Sequence, residues 1–241
     1  MAKGKRLDKV LSNMGYGTRK EIKSIIKKGR VKVDHQVIKD SSMHVDPYEN
    51  HIEIDGMKLI YKEFIYIMMN KPQGVISASF DPKVETVVDL LDHSYQIFKP
   101  FPVGRLDKDT EGLLILTNDG KLSHDLLSPK KHVSKTYYAH IKGKVDQQDI
   151  LSFKEGVILD DGYKTLPAEL NIIKSDEISE IELTIYEGKF HQVKRMFEAV
   201  DKKVIYLKRV AMGDLKLDQG LGLGEYRELT QEELGKLKNK L

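Results

Sequence analysis

Val103-Gly104-Arg105-Leu106-Asp107-Lys108-Asp109-Thr110-Glu111-Gly112-Leu113-Leu114-Ile115-Leu116-Thr117 is the stretch on which the fold reading turns. Five charged residues lie between two glycines, with apolar residues on either side. The run Leu113–Thr117 reads as a buried strand, because a short continuous apolar segment bounded by turn residues suits a strand covered on both faces. Asp119-Gly120 then reads as the turn that closes it. Such a charged loop can hold one carboxylate at the mouth of a core while its neighbours stay wet. On local physics alone it is a solvated turn between two strands.

Outward from this loop, short apolar runs alternate with helical patterns. Phe64–Met69 reads as a buried strand, Lys71-Pro72-Gln73-Gly74 as a turn, and a second strand starts at Val75. Val84–Leu91 has a helical pattern. Downstream, Lys135–Ile141, Ala168–Ile173 and Ile181–Tyr186 read as strands, and Asp146–Lys154 as a helix. Phe190, Val193, Met196, Phe197 and Val200 fit one helical face. Thr230-Gln231-Glu232-Glu233 has capping-box order and opens a last helix. This irregular order points to an α+β domain on a mixed or antiparallel sheet with flanking helices, not a βαβ repeat.

The N-terminal part differs in character. Its first 30 residues carry ten Lys or Arg against Asp8 and Glu21, whereas the whole chain has a net charge of only +3. A basic head on a mildly acidic body directs long-range attraction to a polyanion, and nucleic acid is the leading candidate. Leu7, Val10 and Leu11 form one helical stripe, which ends near Gly15-Tyr16-Gly17. Thr18-Arg19-Lys20-Glu21 caps a second helix with Ile22, Ile25 and Ile26 on its apolar face. Arg19, Lys20, Lys23, Lys27, Lys28 and Arg30 make its other surface cationic. As a solvated face this needs no partner; as an RNA surface its cations would bind phosphates and make affinity salt-dependent. Val31, Val33 and Val37 follow as a small hairpin around Asp34-His35-Gln36. The turns at Asp46–Asn50 and Asp55-Gly56 belong to a linking segment that runs to about Lys62.

Several classes of chemistry are excluded or unsupported. The chain has no cysteine, so disulfides, thiolate metal sites and a cysteine nucleophile are absent. Its eight histidines form no H-E-x-x-H or i, i+4 pair, so no metal is expected. Gly220-Leu221-Gly222-Leu223-Gly224 lacks the flanking strand and helix of a dinucleotide fold. No apolar run approaches the roughly 20 residues of a membrane helix, and the N-terminus shows no secretory pattern. A cytoplasmic protein is the expectation.

The order GRLDxxTxGLLxLTNDG closely resembles the signature of the RsuA-type RNA pseudouridine synthases. The resemblance extends to EGxxHQVKRMF at residues 187–197 and to RLDKVL…GxGTRKEIKxxIKKGRVKVD, which is similar to an S4-type RNA-binding domain. It implies an S4-like module over residues 1–60, a catalytic domain over 61–241, and cofactor-free isomerisation of uridine in ribosomal RNA. It also implies three catalytic residues: Asp107 as the essential carboxylate, Tyr137 as the active-site tyrosine, and Lys194 as the cation paired with the carboxylate. Arg105 and Arg195 would contact RNA, and Arg195 competes with Lys194 for the orienting role. Tyr138 would point to the opposite strand face. RLDK and HQVKRMF look most like the member that acts on small-subunit 16S rRNA, which implies a monomer meeting 16S rRNA in an assembly intermediate. Relatives acting on 23S rRNA share the main signature. A non-catalytic RNA-binding assembly factor and a base-releasing hydrolase are the competing classes.

Overall fold

The computed structural model describes residues 4–239 and divides into two compact units. One comprises residues 4–65 together with 92–99, the other residues 66–91 and 100–239. In the first unit, α1 (Leu7–Asn13) and α2 (Arg19–Lys27) pack against a small antiparallel sheet. Its strands are β1 (Val31–Val33), β2 (Gln36–Val37), β3 (Ile52–Ile54) and β4 (Met57–Lys58), in the order β2-β1-β3-β4. Leu7, Val10, Leu11, Ile22 and Ile26 are fully buried, and Val31, Val33, Ile52 and Ile54 close the core from the sheet side. The Thr18 side chain accepts from the Glu21 N–H and Glu21 accepts from the Thr18 N–H, as the sequence order requires.

Two details differ from expectation. The β1–β2 turn is the pair Asp34-His35, both at positive φ, which is the geometry of a two-residue hairpin loop. The stretch read as a link instead carries the hairpin β3–β4, turned by Asp55-Gly56. Single apolar positions in strands of two or three residues give too little periodicity to show this in advance.

The second unit is α+β. Its main sheet runs through β5 (Tyr66–Lys71), β6 (Glu111–Thr117), β7 (Lys135–Lys142), β8 (Glu169–Lys174), β9 (Ile178–Ile185), β10 (Lys203–Met212) and β11 (Tyr226–Glu228). The spatial order is β8-β9-β7-β10-β6-β5-β11. Its paired strands are antiparallel except at β6–β10, a short parallel contact matching Lys208 with Glu111 and Arg209 with Gly112. All seven residues of β6 are buried. Gly112 is required there, because a Cβ at that position would lie 2.2 Å from the Arg209 carbonyl oxygen and 2.8 Å from its nitrogen. Helices α3 (Gly120–Leu127) and α6 (Gln231–Lys238) supply Leu122, Leu126, Leu234 and Leu237 to a core with Met68, Leu113, Ile115 and Met212. On α4 (Gln147–Glu155), Phe153 meets Phe197 of α5 (Gln192–Glu198) edge-on at 5.0 Å. Among the described residues no helix is long and apolar enough to cross a membrane.

Three local readings need correction, and one strand has no counterpart in the sequence reading. Val84–Leu91 is a series of turns: Asp89 accepts from both the backbone and the hydroxyl of Thr86, a local alternative to helix that side-chain oxygens provide. No strand forms from Val75, where only Ile76 bridges to Thr86. Asp119-Gly120 is not a simple turn, since the Asp119 carboxylate caps α3 by accepting from Lys121 and Leu122. Strand β10, central to the sheet, is absent from the sequence reading; its apolar alternation is interrupted by Lys208 and Arg209.

Candidate active site

The loop before β6 is fixed by residues of the segment 71–77. Lys71 is fully buried, and its ammonium donates to the carbonyl oxygens of Pro72 at 2.9 Å, Asp107 at 3.1 Å and Thr110 at 3.0 Å. Burial pushes this amine down to about 8, and the charges of Asp107, Asp109 and Glu111 limit the fall. The Gly74 N–H donates to the Lys108 carbonyl at 2.8 Å. The Leu106 N–H donates to the Ser77 hydroxyl at 3.0 Å, and that hydroxyl lies 2.9 Å from the Leu106 carbonyl oxygen. Thr110 N–H closes the turn onto Asp107. The Asp107 carboxylate therefore projects from a backbone anchored on both sides.

Asp107, Tyr137, Lys194 and Arg105 line one cleft of about 80 Å³. The Asp107 side chain is 29% exposed, shielded but reachable. Lys194, on α5, lies 3.1 Å from Asp107 Oδ2 and also grips Asp109 at 2.7 and 2.9 Å. Burial alone would lower the Lys194 ammonium. Hydrogen bonds to Asp109 and Asp107 outweigh it and hold the group above its ordinary value. The same Lys194 bond holds the Asp109 carboxyl below the usual carboxylate range. Tyr137 is buried at the cleft wall, while Tyr138 lies on the other strand face and donates to Glu180 at 2.6 Å.

Arg195 is not brought to Asp107. Its guanidinium pairs with Asp160 and Asp161, at 2.7 Å to the latter. Consecutive helical residues diverge by about 100°, so Lys194 and Arg195 cannot both face one carboxylate. Arg105 is exposed at the cleft. In the first unit, Arg19, Lys20, Lys23, Lys27 and Lys28 are exposed on and just beyond α2, and Arg30 is held by Asp55 through two bonds.

Sequence reasoning missed several contributors. Lys71 and Asp109 carry no local signal of their role: the first acts across 36 residues on Asp107, and the second reads as one of the wet neighbours of Asp107. His191, in a left-handed conformation ahead of α5, brings Nε2 to 3.6 Å from Asp107 Oδ1. Phe190, expected on the apolar helical face, precedes the helix and is exposed. The loop carrying both is anchored by buried Gln192, which donates to Glu187 at 2.8 Å and accepts from the Lys189 N–H at 2.9 Å. Glu187 also accepts from Tyr163 and from the Leu166 N–H.

A further donor cluster lies in the first unit. His51 Nε2 is 2.8 Å and His35 Nδ1 3.3 Å from Glu53 Oε1, and it is the one group of metal-ligating side chains found among the described residues. Histidines 16 positions apart, joined by strand pairing, escape any local spacing rule. Lys32 Nζ already lies 4.0 Å from the other Glu53 oxygen.

Chemically, the cleft holds an ionic Asp–Lys–Asp arrangement beside an aromatic wall, with a hydroxyl at Thr110 that has no hydrogen-bond partner among the described residues. One carboxylate faces the cleft with its cation in place, and Asp109 satisfies the rest of that cation's donors. This suits attack at, or proton removal near, an electrophilic sugar carbon.

Comparison with known proteins gives a consistent picture. Residues 65–199 match the RNA pseudouridylate synthase family and residues 5–49 match the S4 domain. The chain is 55% identical over 230 residues to an uncharacterised RNA pseudouridine synthase, YtzG, of Bacillus subtilis, covering 95% of this chain and 96% of that one. It is 42% identical to ribosomal small subunit pseudouridine synthase A of Vibrio vulnificus, covering 95% and 97%. Identity is 40% to ribosomal large subunit pseudouridine synthase B of Bacillus subtilis, covering 97% and 95%. A crystal structure of a pseudouridylate synthase superposes with a TM-score of 0.68 at 37% identity, covering 96% of this chain and 99% of that one.

Proposed function

Since the chain belongs to the RNA pseudouridylate synthase family and is an RNA uridine isomerase, we propose that Asp107 is its catalytic carboxylate. The observation that carries this is the placement of Asp107 in the cleft, 3.1 Å from the Lys194 ammonium and beside Tyr137. The reaction breaks the N1–C1′ bond, turns the uracil and joins C5 to C1′, with the C5 proton lost and N1 protonated. Asp107 either attacks C1′, giving an ester, or removes the 2′ proton, giving a glycal; among the described residues lining the cleft it is the one carboxylate, which suits either route better than the acid–base pair of a glycoside hydrolase. Lys194 holds Asp107 in place through a charge-assisted contact at 3.1 Å. Tyr137 stacks on the extruded base, and its hydroxyl assists loss of the C5 proton. Arg105 approaches phosphates of the flanking strand, whereas Arg195, expected to contact RNA as well, is already held by Asp160 and Asp161.

Ribosomal RNA is the substrate class, the one named for relatives on both sides of the family. We take 16S rRNA, presented in a cytoplasmic assembly intermediate to a monomeric enzyme, as the target. The RLDK and HQVKRMF segments and the small-subunit relative support it. The large-subunit relative, of nearly equal identity, supports 23S rRNA as the second reading. Residues 1–60 are assigned to RNA docking through Arg19, Lys20, Lys23, Lys27, Lys28 and Arg30, and 61–241 to catalysis.

With rRNA labelled with tritium at uridine C5, wild-type protein should release tritium to water and Asp107→Asn should release none. Equal release by that variant refutes the assignment of Asp107. Mapping pseudouridines in both rRNAs from cells lacking the protein identifies the target: a site missing from 23S rRNA alone overturns the 16S reading.

A further inference from the structure

Next to His191, which lines the cleft, the chain exposes an aromatic ring. Phe190 is 74% exposed, an unusual state for a phenyl group that packing could have covered. Its ring lies flat on the His191 imidazole, with centroids 3.8 Å apart and planes 17° apart. His191 lines the cleft and reaches within 3.6 Å of Asp107. One face of the phenyl ring is thus backed by an imidazole that lines the site.

This pair sits on a fixed platform. The Lys189 N–H is held by Gln192 Oε1, the Phe190 carbonyl accepts from Arg195 at 3.4 Å, and the His191 carbonyl accepts the Arg195 N–H. Arg195 is in turn tied to Asp160 and Asp161. His191 has φ +48°, a backbone state that L residues rarely adopt, and it lets the two rings lie parallel at the start of α5.

We infer that the Phe190–His191 stack is a nucleobase subsite, which receives the base next to the uridine held at Asp107. The inference rests on the reading of the cleft as the uridine site and adds its neighbour. Extruding a nucleotide leaves the adjoining bases without a stacking partner. An exposed ring with a backed face restores that stack for any base, because every base offers a π-face. A subsite of this kind selects an unpaired or distorted strand rather than a sequence, and it sets how tightly RNA binds rather than how fast the bond breaks.

The experiment uses an rRNA fragment that the wild-type protein converts, together with two versions carrying an abasic residue immediately 5′ or 3′ of the target uridine. Base–aromatic stacking of the usual strength corresponds to a rise of about tenfold or more in KM for Phe190→Ala, with kcat changing far less. Phe190→Trp should restore KM to within about twofold. One of the two abasic fragments should weaken wild type by a similar factor and leave Phe190→Ala unaffected, the signature of a shared interaction in a mutant cycle. The proposal is overturned if both abasic effects simply multiply with that of Phe190→Ala, or if Phe190→Ala matches wild type. Failure of the underlying reading looks different: Asp107→Asn would remain active on the intact fragment.

Discussion

Replacing Lys71 by methionine tests how the aspartate loop is held. Methionine has similar length and no donor. Keeping the buried ammonium protonated, with its pKa lowered from 10.5 to about 8, costs about 3 kcal/mol at neutral pH, and methionine removes that cost. Against this, the Pro72 and Thr110 carbonyls are deprived of the Lys71 donor, at about 1–3 kcal/mol each. The Asp107 carbonyl retains the Thr110 N–H. The opposing terms nearly cancel, so global stability should fall by only about 1–2 kcal/mol. The loop, however, is deprived of the group that ties its first and last turns together, and a displacement of about 1 Å at a reacting group costs roughly 100-fold in rate. Single-turnover pseudouridine formation with excess enzyme, alongside a thermal melt, separates the two effects. The pH profile adds a second check. The folded chain releases this proton near 8 and the unfolded chain near 10.5, so between those values the unfolded chain binds more protons. The penalty is therefore complete below about 8 and is relieved as pH rises to 10.5. Wild type should gain stability relative to Lys71→Met across that window. A variant with near-normal single-turnover rate, or a stability difference flat from pH 8 to 10.5, would show that the buried ammonium does not hold the loop.

Other outcomes follow from the same geometry. Lys194→Met should lower kcat about 100-fold, as misplacing a reacting group does, whereas Arg195→Gln should leave kcat within a fewfold, since of the two Lys194 reaches Asp107 and Arg195 pairs elsewhere; single-turnover rates decide, and the reverse ranking would mean the orienting cation is Arg195. Gly112→Ala forces a Cβ into the Arg209 backbone at positive φ, so the melting temperature should drop by more than about 10 °C, corresponding to several kcal/mol in a domain of this size; a melt shifted by less than about 2 °C would show that β6 and β10 separate freely. Combined Lys20→Ala, Lys23→Ala and Lys27→Ala should flatten the slope of log affinity against log salt by about one unit for each phosphate no longer neutralised, and titration with an rRNA fragment at several salt concentrations would expose an unchanged slope if these lysines are merely solvated.

What could be read from the chain and what could not divide along a physical line. Thr18-x-x-Glu21 and Thr230-x-x-Glu233 are complete local devices, and both cap helices in the structure. The Leu113–Thr117 run is recognisable because burial on both faces leaves an unbroken apolar record. Tyr137 and Tyr138 can be assigned to opposite faces from the twofold period of a strand alone. The Lys71 clamp, by contrast, is made by the last residue of β5, which reads in the sequence as the start of a Lys-Pro turn, and nothing local says that its ammonium will lie under a loop 36 residues away. Asp109 reads as one more solvated charge until α5 brings Lys194 to it across 85 positions. Phe190 fits a helical stripe in register, and only the left-handed turn at His191 removes it from that face. Strand β10 is obscured because two of its central positions are Lys208 and Arg209, and Arg209 is buried by donating to the Leu113 carbonyl at 2.8 Å.

The parallel contact between β6 and β10 also sets a schedule. Gly112 finds its neighbour at Arg209, 97 positions later, and chains emerge from synthesis N-terminus first. A polypeptide interrupted before Arg209 has its aspartate loop but lacks the strand that encloses it. Competence to modify RNA is therefore acquired only once Arg209 has been added, so products truncated before it are poor candidates for stray activity.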